Sequence, residues 1–147
     1  MTENTTSPKR VLVVEDEPDF AALLETILTQ AGFLVTTAYS CEDAFEAVRK
    51  TKPDLVTLDI AMPRKSGGLF YRQLKADRRF RYLPVVVVTG ITRDDREMDN
   101  IVHSLLEPDS IPAPDAYVEK PIDGSSLVDT IRRVLESSPS GAGEPVP

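Results

Sequence analysis

Short apolar runs of strand length alternate along this chain with longer segments in which apolar residues recur at helical spacing. The predicted strands lie at residues 11–14, 33–38, 54–60, 84–89 and 116–120, and the predicted helices at 20–28, 44–50, 69–76, 92–106 and 126–135. Strands that alternate with helices favour a parallel sheet covered by helices on both faces, and the uninterrupted apolar run at 85–88 is typical of a strand buried on both sides. The pattern predicts an α/β fold, a three-layer sandwich of five βα units around one parallel sheet.

Residues with special backbone preferences mark several of the expected element ends. Pro18 suits the first turn of a helix, and Gly32 ends the apolar period that follows it. Ser40, with Asp43 three residues later, resembles a helix N-cap and its acidic partner. Because the residue before a proline disfavours helical geometry, we expect the second helix to end before Pro53.

Composition limits the classes of function. The 147 residues include 17 basic and 24 acidic side chains, and the formal charge of −7 argues against direct binding of nucleic acid as the main activity. The apolar runs are too short to span a bilayer, and residues 1–10 lack the apolar centre of a signal peptide, so we expect a cytoplasmic protein without a membrane partner. Cys41 is the single cysteine, which excludes an internal disulfide and a cysteine zinc site.

Both ends of the chain are rich in Ser, Thr, Gly and Pro and lack an apolar period that could pack against a core. We therefore expect disordered segments at residues 1–8 and 138–147, which flank one folded domain at 9–137. The C-terminal segment suits either a free end or a cut linker.

Polar side chains stand at the ends of four predicted strands. Glu15 and Asp16 follow the first strand, Asp59 and Thr89 stand near the ends of the third and fourth, and Lys120 ends the fifth. Any one of them is explained more simply by a chain that returns to water. Together they would meet at one edge of a parallel sheet, where open α/β sheets bind their ligands.

Carboxylates at contact range repel one another unless they are protonated or bridged by a cation. Mg²⁺ prefers one or two carboxylates, water and phosphate oxygens, and a lysine ammonium suits another phosphate oxygen. A carboxylate beside a metal ion, a lysine and a hydroxyl donor is what formation of an acyl phosphate requires. The residue set therefore predicts formation of an acyl phosphate on a carboxylate at this edge of the sheet.

Four motifs in order resemble the receiver domain of response regulators in two-component systems. They are VLVVEDEP from residue 11, DLVTLDIAMPRKSGG from 54, VVVVTG from 85 and YVEKP from 117, and the resemblance covers about residues 9–137. It implies a flavodoxin-like fold with strand order 2-1-3-4-5. It also implies a histidine kinase or phosphotransfer protein as phosphodonor and a further, unidentified protein downstream. No turnover is implied beyond self-phosphorylation and slow self-dephosphorylation.

The same resemblance assigns roles at the acidic site. Asp59 is the phosphoacceptor, and Asp16 and Asp59 bind Mg²⁺ (or Mn²⁺) directly. Glu15 acts on the metal through water, and the backbone carbonyl of Ala61 is a further metal ligand.

The resemblance also assigns a conformational switch. Thr89 is the hydroxyl that moves toward the phosphoryl group, and Tyr117 is the aromatic that then rotates inward. Lys120 matches the invariant lysine of the family, and the peptide bond before Pro121 is expected to be cis. The surface formed by the fourth helix, the fifth strand and the fifth helix would change, and it could also join two copies in a homodimer.

Two features depart from the family pattern or vary within it. Ala61 and Ile91 cannot orient water by hydrogen bonding, which would affect the lifetime of the phosphoryl group. The separation of Thr89 and Lys120, 120 − 89 = 31 residues, exceeds our expectation, and the excess lies in a proline-rich insertion at 107–115. This insertion either influences the choice of partner or is a tolerated surface loop.

Other functional classes are less well supported. A haloacid-dehalogenase-like aspartyl-phosphate phosphatase would need an acidic residue at position 61, where this chain has Ala61. His103 leaves a histidine phosphotransfer module formally open, but such modules are helical. A basic cluster in or after the third helix reads as a solvated helix face; it consists of Arg72, Lys75, Arg78, Arg79 and Arg81.

Overall fold

The computed structural model describes residues 8–59, 66–89 and 114–137. Within these ranges the strands are β1 (Arg10–Val14), β2 (Leu34–Ala38), β3 (Leu55–Leu58), β4 (Val85–Thr89) and β5 (Ala116–Glu119). The helices are α1 (Pro18–Gln30), α2 (Cys41–Thr51), α3 (Ser66–Ala76) and a C-terminal helix (Gly124–Ser137). The terminal segments at 1–7 and 138–147, the predicted helix at 92–106, Ala61, Ile91, His103 and most of the 107–115 insertion lie outside the described residues.

All five strands are parallel and form one sheet in the order β2-β1-β3-β4-β5. This is the predicted flavodoxin-like order. The register aligns the carboxyl ends of the strands, since Val14 pairs with both Ala38 and Leu58, and Thr89 pairs with Glu119. Residues that follow β1, β3 and β5 are thereby brought to the same edge.

Apolar side chains alternate between the two faces of the sheet and form a core on each. One core packs the sheet against α2 and α3; its buried members include Leu12, Val56, Leu58, Val87, Val48, Phe70 and Leu74. The other packs the sheet against α1 and the C-terminal helix; its buried members include Val11, Val13, Leu55, Val86, Leu24, Leu28 and Ile131. The predicted three-layer sandwich is confirmed.

The predicted end signals act as expected where the structure describes them. Helix α1 has Pro18 in its first turn, and Gly32 just after it adopts a φ of +99°, a conformation that disfavours other residues. The Ser40 hydroxyl accepts a hydrogen bond of 3.1 Å from the Asp43 N–H. Helix α2 ends before Pro53, as predicted.

The interpretation of the basic cluster as a solvated face is wrong for one of its members. Lys75 is only 2% exposed, and its Nζ donates hydrogen bonds to the carbonyl oxygens of Arg81, at 3.1 Å, and Leu83. The helical period could not reveal this, because those acceptors belong to the loop that leads into β4. In the described part of the chain, no helix combines the length and apolar character that crossing a bilayer demands.

Candidate functional site

Main-chain hydrogen bonds extend the strand ladders to the first residues of the candidate site. The Glu15 N–H donates to the Ala38 carbonyl at 3.0 Å, and the Asp59 N–H donates to the Val14 carbonyl at 3.1 Å. Glu15 and Asp59 are therefore held at the carboxyl edge by the sheet itself. Such placement on regular structure positions side chains more accurately than a loop would.

Three carboxylates converge at this edge. Glu15, Asp16 and Asp59 each contribute one oxygen to a group whose members all lie within 4.8 Å of one another. Glu15 is 1% exposed and Asp59 5% exposed, so two of the three charges lie largely out of contact with water. Two acidic groups that are adjacent in sequence thus meet a third that is more than forty residues away along the chain.

Lys120 supplies the positive charge of the site. Its Nζ lies 3.5 Å from Glu15 Oε1 and 3.5 Å from Asp59 Oδ2. Among the described residues, one ammonium faces three carboxylates, so this group of side chains retains negative charge when all of them are ionised. This is the electrostatic condition that favours a bound cation.

Burial and the neighbouring charges shift the pKa of Glu15. Burial, and secondly repulsion by Asp59, raise the pKa of Glu15 to about 7. The Lys120 charge and a hydrogen bond of 3.2 Å from the Glu17 N–H oppose this rise in pKa. A divalent cation would favour the ionised carboxylate and lower that pKa.

The donor set fits a hard divalent cation. Carboxylate oxygens are the ligands of Mg²⁺, whose coordination distances of about 2.1 Å separate opposite ligands by roughly 4.2 Å, close to the spread of the cluster. Cys41, the one cysteine of the chain, is the first residue of α2 and is not part of the cluster. The cluster therefore suits Mg²⁺ or Mn²⁺ better than a thiophilic metal.

The remaining predicted residues lie on β4 and β5. Thr89 ends β4 opposite Glu119, and its side chain lies outside the described part of the structure. Tyr117 pairs in register with Val87 and is 41% exposed. The Lys120–Pro121 peptide bond is cis, as the resemblance implied.

One contact was missed from the sequence. The ring of Phe20 lies against Lys120, with 4.1 Å between Nζ and the ring centroid. The sequence placed Phe20 only at the start of the predicted helix at 20–28. The sequence carries one indication that Phe20 lies near the acidic site. Phe20 stands only four residues after Asp16, in a helix that begins at Pro18.

Comparison with known proteins points to one family. A family model described as the response regulator receiver domain matches residues 11–132. Protein Rrf1 of Nitratidesulfovibrio vulgaris is 32% identical over 147 residues, which cover 95% of this chain and 97% of Rrf1. Protein PilH of Pseudomonas aeruginosa is 34% identical over 126 residues, which cover 86% of this chain and 97% of PilH.

Solved structures agree with the sequence matches. A sensor protein from Polaromonas sp. JS666 superposes with a TM-score of 0.76 at 31% identity, over 88% of this chain and 98% of that chain. The family match spans β1, β3 and β5, whose ends form the acidic site. On these similarities the chain belongs to the response regulator receiver domains of two-component signalling.

Proposed function

We propose that this receiver domain accepts a phosphoryl group on Asp59 from the phosphohistidine of a histidine kinase or phosphotransfer protein. The observation that carries the proposal is the meeting of Asp59 with Glu15, Asp16 and Lys120 at one sheet edge. In the transfer, an Asp59 carboxylate oxygen forms a bond to phosphorus and the bond from phosphorus to the donor histidine nitrogen breaks. The product is an acyl phosphate.

The chain's own residues orient and balance this reaction. The sheet holds Asp59 at its edge through the hydrogen bond to Val14, and burial limits the access of water to its carboxylate. Lys120, at 3.5 Å from Asp59, supplies a compact positive charge for a phosphoryl oxygen. Preorganised charge of this kind acts most strongly where water is excluded.

The proposal includes a divalent cation, Mg²⁺ or Mn²⁺. Asp16 and Asp59 would bind it directly and Glu15 through water, while the backbone carbonyl of Ala61 is expected from the resemblance to complete the protein ligands. When bound, the ion supplies positive charge to the oxygens of the transferring group. The acidic donor set, in which three carboxylates face the Lys120 ammonium, supports this assignment.

Signalling would follow from a shift between two conformations. We propose that the Thr89 hydroxyl moves toward the phosphoryl group and that Tyr117 rotates inward. The 41% exposure of Tyr117 is consistent with a ring that still has surface to bury. The surface that the resemblance implies, comprising the predicted helix at 92–106, β5 and the C-terminal helix, would bind a downstream protein or a second copy of the chain.

Several further expectations belong to this proposal. The domain performs no turnover besides its own phosphorylation and slow dephosphorylation, and it acts in the cytoplasm through protein contacts. Ala61 and Ile91 would set the lifetime of the phosphoryl group. An Ala61→Asn variant with the same decay rate as wild type would remove that assignment.

The central test is chemical phosphorylation followed by intact mass measurement. With phosphoramidate and MgCl₂, wild type should gain one phosphoryl group, and Asp59→Asn should gain none. Asp129→Asn, an exposed position on the C-terminal helix, is the matched control and should react like wild type. An adduct of equal yield in Asp59→Asn would contradict the proposal.

A further inference from the structure

Lys120 has a third neighbour besides the two carboxylates. Its Nζ lies 4.1 Å from the centroid of the Phe20 ring, and this is the shortest of the four contacts between a cation and a ring in the described part of the chain; the others range from 4.9 to 6.0 Å. Phe20 belongs to α1, so the contact joins this helix to the residue that follows β5.

The Phe20 ring has a physical effect that an aliphatic side chain would lack. The face of an aromatic ring carries partial negative charge and attracts an ammonium without accepting its protons. The Lys120 ammonium can therefore contact the ring face and still direct its N–H groups at carboxylate or phosphoryl oxygens. Because the lysine side chain is a flexible four-carbon stem, holding its ammonium in place costs conformational entropy. Contact with the ring offsets part of this cost.

We propose that Phe20 is a positioning residue for phosphoryl transfer, whose ring holds the Lys120 ammonium beside Asp59. The inference rests on the proposed function, because it concerns the same reaction. Phe20 does not touch the phosphoryl group; it acts through Lys120. Phe20 also packs against the apolar core beneath α1, and that packing is the alternative explanation that a test must separate.

Three variants separate the two roles. Phe20→Leu keeps an apolar side chain for packing but removes the ring face, and Phe20→Tyr restores the ring. Phe33→Leu is the matched control. The Cζ of Arg132 lies 6.0 Å from the centroid of the Phe33 ring, and this contact does not involve the acidic site. Phe20→Met replaces the Leu variant if the latter does not fold.

Two measurements are made on each full-length variant. The first is the NMR shift of the Lys120 ε-methylene protons, which the nearby ring face should displace upfield. The second is the rate of phosphorylation by phosphoramidate with MgCl₂. We expect Phe20→Leu to lose the upfield displacement and to react about three- to tenfold more slowly, as the loss of a partly desolvated cation–π contact implies. Phe20→Tyr should restore both, and Phe33→Leu should alter neither.

The results distinguish a positioning role of Phe20 from a packing role. A wild-type rate in Phe20→Leu, or an equal loss of rate in Phe20→Leu and Phe20→Tyr, would overturn the positioning role while leaving the proposed function intact. The second of these results would assign Phe20 to packing alone. If wild type itself formed no adduct, both the proposed function and the positioning role would fall.

Discussion

The Nζ of Lys120 lies 3.5 Å from Asp59 Oδ2, although the two residues follow strands that are not neighbours. In the sheet β4 separates β3 from β5, so the lysine side chain must cross the end of β4 to reach the carboxylate. Thr89 stands at that end of β4. The proposed phosphoacceptor Asp59, the Lys120 ammonium and the expected switch residue Thr89 therefore lie at the ends of three consecutive strands of the sheet.

A divalent cation at the acidic cluster would compete with the Lys120 ammonium for the carboxylates of Glu15 and Asp59. Substitution of Lys120 should therefore affect metal binding and phosphorylation in opposite directions. Lys120→Met should bind Mg²⁺ more tightly than wild type, because the resident positive charge is gone. It should also be phosphorylated by phosphoramidate about 10- to 100-fold more slowly, because a preorganised charge beside the phosphoryl oxygens is lost. Isothermal titration with MgCl₂ and the phosphorylation rate check the two parts. A decrease in both quantities would indicate general damage to the site and contradict the competition.

Repulsion among the carboxylates should reduce the stability of the metal-free protein. Asp16→Asn removes one of the three close charges, so it should raise the melting temperature in the absence of divalent cations. With excess MgCl₂, wild type should gain more stability than the variant, since binding to the folded state stabilises it. Thermal unfolding with EDTA and with MgCl₂ makes the comparison. An equal response to MgCl₂ would remove Asp16 from the metal ligands; Asp129→Asn is the control.

The Thr57 hydroxyl is buried in β3 and has no hydrogen-bond partner among the described residues. A buried polar group without a partner costs free energy that a methyl group of similar size does not. Thr57→Val should therefore raise the free energy of unfolding by about 1 kcal/mol, as measured by urea denaturation. Thr37→Val, at a half-buried position of edge strand β2, is the control and should change it less. A loss of stability in Thr57→Val would show that the hydroxyl is needed.

Burial lowers the pKa of Lys75 to about 8, although the nearby Asp115 charge opposes this shift. The ordinary lysine pKa of 10.5 applies to the unfolded chain, which therefore binds more protons than the folded protein between these two values. The contribution of Lys75 to the free energy of unfolding should therefore increase as the pH rises above 8. By pH 10 the increase should be about 2 kcal/mol.

Lys75→Met should lack this increase, and urea denaturation at several pH values measures the difference. The comparison is best made below the ordinary tyrosine pKa of 10, because burial raises the pKa of Tyr71 and its titration acts in the opposite direction. If the free energy of unfolding of wild type and of Lys75→Met changed in parallel with pH, the lowered pKa of the buried Lys75 would be contradicted.

The sequence alone supported the five-unit α/β architecture and placed Glu15, Asp16, Asp59 and Lys120 at strand ends. Both follow from local information, because the apolar period distinguishes strands from helices and the polar residue after an apolar run marks where a strand ends. The strand order came from resemblance to a family, since periodicity carries no information about which strands pair.

Only the tertiary structure decided which side chains meet across elements. It placed Phe20 of α1 against Lys120 after β5, and it buried Lys75, which lies in a basic stretch that otherwise reads as a solvated surface. It also left the hydroxyl of Thr57 without a partner within the described residues. A strand or helix pattern specifies the face on which a residue lies. Its neighbours depend on how separate elements pack, and long side chains such as lysine extend that dependence beyond the adjacent strand.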